Sequence, residues 1–466
     1  MSVDFRVKEY YSRRHVFLWI DRHGVNPQAD TLMMCLDTIS SIGLSPKKFR
    51  VEQIKQDLKR FKSLNFDTSN TINRVAARLE YNLSKAYMRY VTGQRFGFVN
   101  PTMTLNKLDT LSQNAGDTAR WTSVHYRRVF DLKMDHAGKH FYKFAFSQIS
   151  HDSVGYFLRK VQPSSPMYYS LLAKYRQGNQ SEDMMLKLLC NMERCRWRLG
   201  DYPQRHNKYV IVNIPSLHLK AVDGDDVLSM RVGCGTVKTK TPLLYSSIHR
   251  MDINPQWILP RSIVQKDVVN RLGNRSWFEK NHYFVRNKTT GERVPLGKVT
   301  RSMLMDSNYL VMQEGGEGNS LGRIIFRFNN AFSVYLHSTS QPGIFFRNDR
   351  EVSHGCIRVE KPYELAEFML ENKDKTLLDK IKYSMTADVS SVHRNKENDI
   401  EDDEDEQSTD TLDRSKLLGI LKLKPEVPIF IVYYTLYPDE QNGKLIGYPD
   451  VYGYDKVIWD YLKNYR

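Results

Sequence analysis

The first 200 residues carry apolar side chains at the three- and four-residue spacing of an α-helix. Four of these side chains share one helical face just before Gly43, a residue that suits the left-handed end of a helix: Leu32, Cys35, Leu36 and Ile39. The same spacing recurs in the segments 51–64, 72–83, 166–172 and 184–197. We therefore predict a helical N-terminal region in which these apolar stripes form the core.

From residue 208 onward the pattern changes to short β-rich runs. The predicted strands are 209–213, 217–222, 227–232, 324–328, 333–337 and 427–434. A helix is predicted over 361–371, because Pro362 suits its first turn. The polar segment 260–318 is too long for a plain loop, so we predict a small subdomain that covers the sheet. The predicted fold class is α+β, with a helical N-terminal domain and a mixed, β-rich domain that carries this insertion.

The chain has a formal net charge of +16 over 466 residues, a length that suits two or three folding units. Nine acidic side chains lie between Glu397 and Asp410, so the rest of the chain is more basic still. We predict that this acidic segment is a solvated, disordered linker. A basic surface favours nucleic acid, membrane headgroups or an acidic polymer, although a generally basic proteome would also explain the charge. The sequence has no recognisable nucleic-acid-binding motif, so nucleic acid is not expected as a partner.

The five cysteines are an odd number in a long chain, which argues against a disulfide scaffold. Cys190 and Cys195 have a metal-like spacing, but no second ligand pair matches it, and no metal is expected. No apolar run approaches the ~18 residues of a membrane span, and Met1–Tyr11 lacks the apolar core of a signal peptide. Taken literally, this start indicates the cytoplasm. A shortened or misassigned start explains it equally well.

The densest chemical signal is the sequence Ser-His-Gly-Cys-Ile-Arg at 353–358, which follows His-Ser-Thr at 337–339. Cys356 can attack as a thiolate if a nearby imidazole takes its proton, and both His354 and His337 are candidates for that base. Gly355 permits a tight backbone approach and leaves main-chain N–H groups for an oxyanion. Arg358 could bind a substrate carboxylate. Together these residues predict nucleophilic catalysis by cysteine.

These two motifs resemble the signature of the YkuD-type L,D-transpeptidases. The resemblance extends to further blocks that are similar to the large, multidomain branch of Gram-negative bacteria: 191–194, 212–215, 240–242, 254–257, 319–322, 335–337 and 450–455. It covers roughly residues 165 to 466, and the helical N-terminus fits more loosely. That branch commonly carries a helical peptidoglycan-binding module before the 191–194 block. Here the module looks absent, and the basic surface is our hypothesis for how the polymer is bound.

The resemblance implies a role for each residue of the site. Cys356 would be the nucleophile, His337 the general base, and the main-chain carbonyl of Ser338 the group that orients His337. Gly355 with the Cys356 N–H would help to form the oxyanion hole, and His354 would be a substrate-side residue. Tyr335 and Arg358 would line the pocket. No metal or organic cofactor is implied.

The implied reaction is attack on the third residue of a peptidoglycan tetrapeptide stem, release of D-alanine, and transfer of the thioester to an amine in a 3→3 crosslink. Carbapenems would acylate Cys356. An L,D-carboxypeptidase, a ligase joining protein to peptidoglycan and a non-catalytic wall-binding protein remain alternatives. The implied location is the periplasm or cell envelope, which requires an export signal that this sequence does not display.

The implied domain organisation has four parts. A helical scaffold occupies residues 1–200, and the catalytic domain occupies 205–392 with a capping subdomain inserted at 260–318. An acidic linker follows at 393–412. A strand and a helix at 413–466 are predicted to complete the catalytic domain.

Overall fold

The computed structural model describes residues 3–14, 16–110, 125–387, 389, 412–439 and 442–466. The chain divides into two compact units. Unit 1 comprises Met1–Asp201 together with Tyr433–Arg466, and unit 2 comprises Tyr202–Val432. The acidic segment between Glu397 and Asp410 lies outside the described residues. The prediction that it is a disordered linker therefore stays a prediction.

The N-terminal part of unit 1 is helical. Its elements are α1 (Val3–Arg14), β1 (Ile20–Asp21), β2 (Gly24–Val25), α2 (Gln28–Asp37), α3 (Val51–Ser63), α4 (Ile72–Phe96), α5 (Pro101–Leu105), α6 (Lys139–Ser150), α7 (Val154–Lys160), α8 (Pro166–Arg176) and α9 (Glu182–Arg196). The five predicted stripes correspond to α2, α3, α4, α8 and α9, which confirms a helical N-terminal region. A short 3₁₀ turn at Ile39–Ile42 follows α2 and ends at Gly43, whose φ of 83° is the left-handed conformation that favours glycine.

Aromatic side chains account for much of the core of unit 1. Trp19, Tyr87 and Phe157 are buried in it beside aliphatic residues of α2, α3 and α4. The helices α1, α6 and α7 contribute to this core but were not predicted, because charged and aromatic residues interrupt their apolar stripes. Within the described ranges, no helix combines the length and the apolar composition needed to cross a membrane.

Unit 2 is built around strands. They are β3 (Lys208–Asn213), β4 (His218–Asp223), β5 (Asp226–Gly235), β6 (Leu244–Ile253), β7 (Trp257–Ile258), β8 (Tyr283–Asn287), β9 (Arg293–Val294), β10 (Tyr309–Gln313), β11 (Ile324–Phe328), β12 (Leu336–His337), β13 (Glu351–Ser353), β14 (Ile357–Val359) and β15 (Ile420–Val432). The helices of this unit are α10 (Arg261–Ile263), α11 (Arg275–Lys280), α12 (Arg301–Met305), α13 (Pro362–Met369) and α14 (Lys375–Thr386). The chain is thus an α+β protein, as predicted.

The main sheet of unit 2 is mixed and closes on itself. Its order is β13-β5-β14-β12-β11-β6-β15-β3-β4, and β4 also pairs with β5. The pairs β12–β14, β13–β5 and β15–β3 are parallel, and the other pairs are antiparallel. In the β12–β14 pair, Leu336 lies opposite Ile357 and His337 opposite Arg358, so the short segments that contain His337 and Cys356 are neighbours in the sheet.

One predicted strand is much shorter than expected. The prediction placed a strand at 333–337, whereas β12 contains only Leu336 and His337. The side chain of Asn330 holds the preceding residues in a turn, because it accepts the N–H groups of Phe332 and Val334 and donates to the carbonyl of Val334. The main-chain groups of Phe332 and Val334 are therefore bonded to the Asn330 side chain, and they are not available to extend the strand.

The segment predicted as a covering subdomain has a sheet of its own. Its strands lie in the order β7-β10-β8-β9, so the sheet begins at Trp257 and ends at Gln313. A separate cluster of buried side chains supports it, including Val264, Phe278 and Val311. Because this cluster is distinct from the main sheet, the segment is an inserted layer of unit 2.

The last residues differ from the prediction that they complete the catalytic domain. The strand β15 does complete the sheet of unit 2, but β16 (Leu436–Pro438), β17 (Leu445–Gly447) and α15 (Tyr454–Leu462) belong to unit 1. Buried polar contacts explain this. Arg194 of α9 forms an ion pair of 2.5 Å with Asp455, and Asn191 donates to the hydroxyl of Thr435 at 2.7 Å. These contacts fix the C-terminal segment to α9.

We expect replacement of Arg194 by methionine to lower the free energy of unfolding by about 3–5 kcal/mol, because it leaves the buried carboxylate of Asp455 without its partner. Urea titration followed by circular dichroism measures the change. Arg13→Met is the control, since the Arg13–Glu9 pair is exposed and its loss should change little. Equal effects of the two substitutions would contradict this account.

Candidate active site

Cys356 ends the three-residue connection between β13 and β14. The connection is tight because Gly355 has a φ of 118°, a conformation that L side chains rarely adopt. The Ser353 hydroxyl donates to the Cys356 carbonyl at 2.5 Å and accepts the Gly355 N–H at 3.1 Å. The Thr241 hydroxyl donates to the Gly355 carbonyl at 2.9 Å. These three hydrogen bonds therefore hold the cysteine in one backbone geometry.

Tyr335 lies beside Cys356. The Ile357 N–H donates to the Tyr335 carbonyl at 3.0 Å, which starts the β12–β14 pairing and sets Cys356 beside Tyr335. The main chain and hydroxyl of Tyr335 lower the pKa of the thiol, although burial has the larger, opposite effect. The thiol also lies 3.9 Å from the Ser333 carbonyl. The half-buried sulfur thus lies among polar groups of one turn.

His337 is the buried imidazole of the site and is only 4% exposed. Its Nδ1 atom lies 3.3 Å from the Leu321 carbonyl, which can only accept a hydrogen bond. The neutral ring therefore carries its proton on Nδ1 and leaves the lone pair of Nε2 available as a base. The Tyr335 ring packs edge-on against this imidazole, with 5.7 Å between the ring centroids. Orientation and tautomer are both fixed before any substrate binds.

The group that orients His337 differs in part from the one expected. The Ser338 carbonyl was expected in this role, and the Ser338 main chain does raise the pKa of the imidazole. The Nδ1 contact, however, is to Leu321. The Ser338 hydroxyl supports the Leu321 loop, because it accepts the N–H groups of Arg323 at 2.5 Å and Ile324 at 3.2 Å. Ser338 therefore acts through its side chain as well as its backbone.

Both members of the candidate pair are neutral at pH 7. Burial, aided by the positive charge of Arg358, lowers the pKa of His337 to about 4. Burial raises the pKa of the Cys356 thiol, although Tyr335, Arg327 and Arg358 oppose the shift. Among the described residues no hydrogen bond joins the thiol to the imidazole, and such bonds often form only when substrate binds. The resting site is therefore a thiol and a free base, not an ion pair.

The charge state predicts how alkylation of Cys356 depends on pH. Because the thiol pKa is raised, the rate with the neutral reagent iodoacetamide should rise about tenfold per pH unit between about pH 6 and 9, without a plateau. Rapid quenching and peptide mapping of Cys356 measure the rate. A plateau below pH 7 would mean a thiolate–imidazolium pair and would contradict this assignment.

Arg358 places a positive charge beside the candidate pair. It lies opposite His337 in the parallel β12–β14 register. Its buried Nε atom has no hydrogen-bond partner, and no described residue forms an ion pair with its guanidinium. Leaving the buried Nε atom of this charged group without a partner is costly unless an anion binds beside it. The arrangement therefore favours a ligand with a carboxylate near the sulfur.

The two predicted oxyanion donors are not equivalent. The Gly355 N–H donates to the Ser353 hydroxyl, so it is already engaged. The Cys356 N–H has no partner within the described residues and can point a donor at a developing negative charge. His354 is exposed and takes part in none of the contacts of the site. Of the two histidines, the structure therefore brings His337 to the polar interior of the site and leaves His354 at the surface.

Comparison with known families agrees with this geometry. Residues 207–380 match the family model of the L,D-transpeptidase catalytic domain, YkuD. This chain carries a YkuD domain. Residues 6–174 match a second family model, described as a scaffold domain. Together the two matches place the candidate site in the YkuD domain and most of the N-terminal helices in the scaffold domain.

One curated relative is a Haemophilus influenzae protein described as "Putative L,D-transpeptidase". It is 28% identical over 309 residues, which cover 62% of this chain and 56% of the relative. The chain thus spans just over half the length of that protein. A solved structure, an L,D-transpeptidase from Mycobacterium smegmatis, is 15% identical, covers 35% of this chain and 53% of its own, and superposes with a TM-score of 0.18. That overlap is too small to support an argument about fold.

The site of the YkuD domain includes residues whose role sequence reasoning did not identify. Leu321 orients His337, Thr241 holds the Gly355 carbonyl, and Asn330 shapes the turn before Tyr335. Thr241 and Leu321 lie in the blocks 240–242 and 319–322, whose resemblance to the family was the available sign that these residues matter. Their partners are distant in sequence, which is why only the fold reveals the contacts.

No described residues of the YkuD domain or of unit 1 form a metal site, defined as three or more grouped histidine, cysteine, aspartate or glutamate side chains. All five cysteines are free thiols. Cys190 is buried and donates to the Asp455 carbonyl at 3.4 Å. The metal-like spacing of Cys190 and Cys195 therefore reflects their positions on α9, where Cys190 is part of the packing against the C-terminal segment.

Proposed function

We propose that this protein is a peptidoglycan L,D-transpeptidase that forms 3→3 crosslinks through a thioester on Cys356. The observation that supports it best is the site itself. A thiol, a base with a free Nε2, an unengaged N–H and an unpaired Arg358 guanidinium meet at the ends of β12 and β14 in a YkuD domain. Each of these groups matches one requirement of acyl transfer from a substrate that carries a carboxylate.

In the proposed first step, His337 Nε2 removes the thiol proton as sulfur attacks the carbonyl carbon of the third stem residue. The Cys356 N–H stabilises the resulting oxyanion. His337 then returns the proton to the leaving nitrogen, the C–N bond breaks, and D-alanine departs. The product is a thioester between Cys356 and the stem, with the imidazole neutral again.

In the proposed second step, the amine of a neighbouring stem attacks the thioester carbonyl and passes a proton to His337. Collapse of the tetrahedral intermediate breaks the C–S bond, and the proton returns to the sulfur. Both the departing D-alanine and an amino-acid acceptor bear a carboxylate on the carbon that carries the amine. Arg358 can therefore hold the same group in both half-reactions.

Substrate would also make His337 a better base. Arg358 is one cause of the lowered pKa of His337, and a bound carboxylate would neutralise its charge. The pKa of the imidazole would then rise toward its ordinary value, and the base would gain strength when the reaction needs it. This explains how a pair that is neutral at rest can transfer protons in the complex.

The proposed location is the periplasm or cell envelope, where peptidoglycan stems are accessible. Carbapenems, whose strained ring is an activated acyl donor, should label Cys356. No cofactor takes part in the proposed steps, because His337 supplies all proton transfer and the thiol supplies the nucleophile.

Product analysis tests the proposal. The purified protein is incubated with disaccharide-tetrapeptide, and the mixture is analysed by mass spectrometry. A crosslinked dimer with the mass of two substrates less one D-alanine supports transpeptidation. Tripeptide without dimer would instead identify an L,D-carboxypeptidase. Unchanged substrate would leave a protein–peptidoglycan ligase or a non-catalytic wall-binding protein, and it would contradict the proposal.

A further inference from the structure

The carbonyl that orients His337 belongs to a loop between β10 and β11. We call residues 319–323 the Leu321 loop, because the Leu321 carbonyl lies 3.3 Å from His337 Nδ1. The loop packs closely on the residues after His337, since a Cβ atom at Gly322 would come within 2.6 Å of the Thr339 main-chain nitrogen. The position of this carbonyl therefore depends on the groups that hold the loop.

Asn254, the residue after β6, is joined to the end of the Leu321 loop in two ways. Its N–H donates to the Arg323 carbonyl at 2.8 Å. Its side-chain oxygen accepts a hydrogen bond from the Arg323 guanidinium at 3.1 Å. We call this pair of residues, bonded through both main chain and side chain, the Asn254–Arg323 bridge.

The Asn254–Arg323 bridge is anchored on the end of α14. The Asn254 amide donates to the carbonyls of Ser384 and Ala387, the second at 3.1 Å. The Arg323 guanidinium also donates to the Ala387 carbonyl at 3.1 Å. The last carbonyls of a helix lack partners inside the helix and carry partial negative charge, so an amide and a guanidinium suit them. The end of α14 is therefore the support that holds the bridge in place.

Asn319 holds the start of the Leu321 loop. Its amide donates to the carbonyls of Glu314 at 2.6 Å and Pro255 at 3.1 Å. Its side-chain oxygen accepts the Leu321 N–H at 2.8 Å. Because Pro255 follows Asn254, the two ends of the loop are attached to neighbouring residues of one segment.

The bridge is connected to His337 through Ser338 as well as Leu321. The Arg323 N–H donates to the Ser338 hydroxyl at 2.5 Å, and the Ser338 N–H donates to the Ile324 carbonyl at 3.0 Å. The main chains of Leu321 and Ser338 both raise the pKa of the imidazole. Both groups that support the ring are therefore bonded to the segment that the bridge fixes.

We propose that Asn254 and Arg323 are positioning residues for His337. They hold the Leu321 carbonyl against Nδ1, and this keeps the lone pair of Nε2 free to accept the thiol proton. The proposal rests on the proposed function, in which this imidazole is the base. Without the two side chains, the end of the loop loses its attachment to α14, and the ring is no longer restricted to one tautomer. A ring with its proton on Nε2 cannot take the thiol proton.

Nitrogen-15 NMR of the resting protein tests the positioning without any substrate. Labelled histidine gives the two ring-nitrogen shifts of His337 at pH 7, assigned by their absence from His337→Gln. We expect well separated shifts, from a protonated Nδ1 and an Nε2 with a lone pair. In Arg323→Met and in Asn254→Gly the two shifts should move toward each other, because both tautomers are then populated. Unchanged shifts in both variants would overturn the proposal.

The glycine variant removes the side chain with little effect on the backbone. Asn254 has a φ of 47°, a conformation that glycine adopts without strain. The N–H bond to the Arg323 carbonyl is therefore kept, and the bonds of the side chain are lost. If Arg323→Met does not fold, Asn254→Gly decides the question alone.

Single-turnover kinetics separate positioning from substrate binding. Intact-protein mass spectrometry of Cys356 acylation by disaccharide-tetrapeptide gives the rate constant at saturation and the half-saturating concentration. We expect Arg323→Met and Asn254→Gly to lower the rate constant about 10- to 100-fold, the cost of a misplaced catalytic group, without raising the half-saturating concentration. Arg323→Lys, which keeps a cationic donor, should recover part of the rate. A loss that appears only in the half-saturating concentration would contradict the proposal.

Arg261→Met is the matched control. Arg261 is also a half-buried arginine of unit 2 that donates to a main-chain carbonyl, that of Leu304 at 3.2 Å, but it belongs to the inserted layer. Its replacement should leave both the ring-nitrogen shifts and the rate constant unchanged, and equal effects of Arg261→Met and Arg323→Met would overturn the proposal. If the tetrapeptide is not a substrate, the NMR result still decides the positioning, so failure of the proposed function is recognised separately.

Discussion

Replacement of Cys356 by alanine is expected to abolish both thioester formation and release of D-alanine from disaccharide-tetrapeptide. The reason is that no other thiol of the described chain lies in the site. Cys190 and Cys234 are buried, and burial raises the pKa of both thiols. Cys35 and Cys195 belong to unit 1. Amino-acid analysis of the supernatant measures how much D-alanine is released, and so measures the loss of activity.

The matched control is Cys35→Ala, which removes a half-buried thiol from unit 1 and should keep full activity. Cys356→Ser is informative as well. A serine hydroxyl can keep the backbone geometry of the Gly355 turn, but it is a far weaker nucleophile at this pH. Substantial release of D-alanine by either Cys356 variant would show that another residue carries the acyl group.

Replacement of His337 by alanine is expected to slow acylation of Cys356 by about 10²–10⁴-fold, the range of a positioned general base. The thiol would then lose its proton to water instead of to Nε2. Intact-protein mass spectrometry at several times after mixing measures the rate. The remaining acylation should increase with pH, because hydroxide and the intrinsic ionisation of the thiol replace the base.

His354→Ala tests the assignment of the base. This imidazole is two residues from Cys356 but exposed, whereas His337 is buried with its tautomer fixed by Leu321. The His354 variant should therefore lose much less activity than the His337 variant. If His354→Ala were the more damaging substitution, the base would be His354 and the role given to the Leu321 contact would be wrong.

Local patterns predicted the turn that presents Cys356. Gly355 and Cys356 are adjacent in sequence, and the turn that presents the thiol needs the positive φ that glycine provides. The helical spacing of 28–37 or 51–63 was predictable for the same reason, since neighbouring positions determine which face is apolar. The helices of the N-terminal region, which depend on residues within a few positions of one another, were therefore predicted from the sequence.

Contacts between distant segments were not predictable. His337 depends on the Leu321 carbonyl, and the Gly355 carbonyl depends on Thr241, more than a hundred residues away. The C-terminal helix was assigned to the wrong unit because its anchor is the buried Arg194–Asp455 pair, which no local pattern reveals. The alignment of Arg327, Arg250 and Lys422 was also hidden, because these residues become neighbours only when three strands pair.

The central claim is that Cys356 carries the stem as a thioester while D-alanine leaves. The most direct measurement is intact-protein mass spectrometry shortly after mixing with disaccharide-tetrapeptide, followed by peptide mapping. The account predicts an adduct with the mass of the substrate less one D-alanine, located on Cys356 and released by hydroxylamine. An adduct on another residue, or crosslinked product with no thioester at any time, would contradict it.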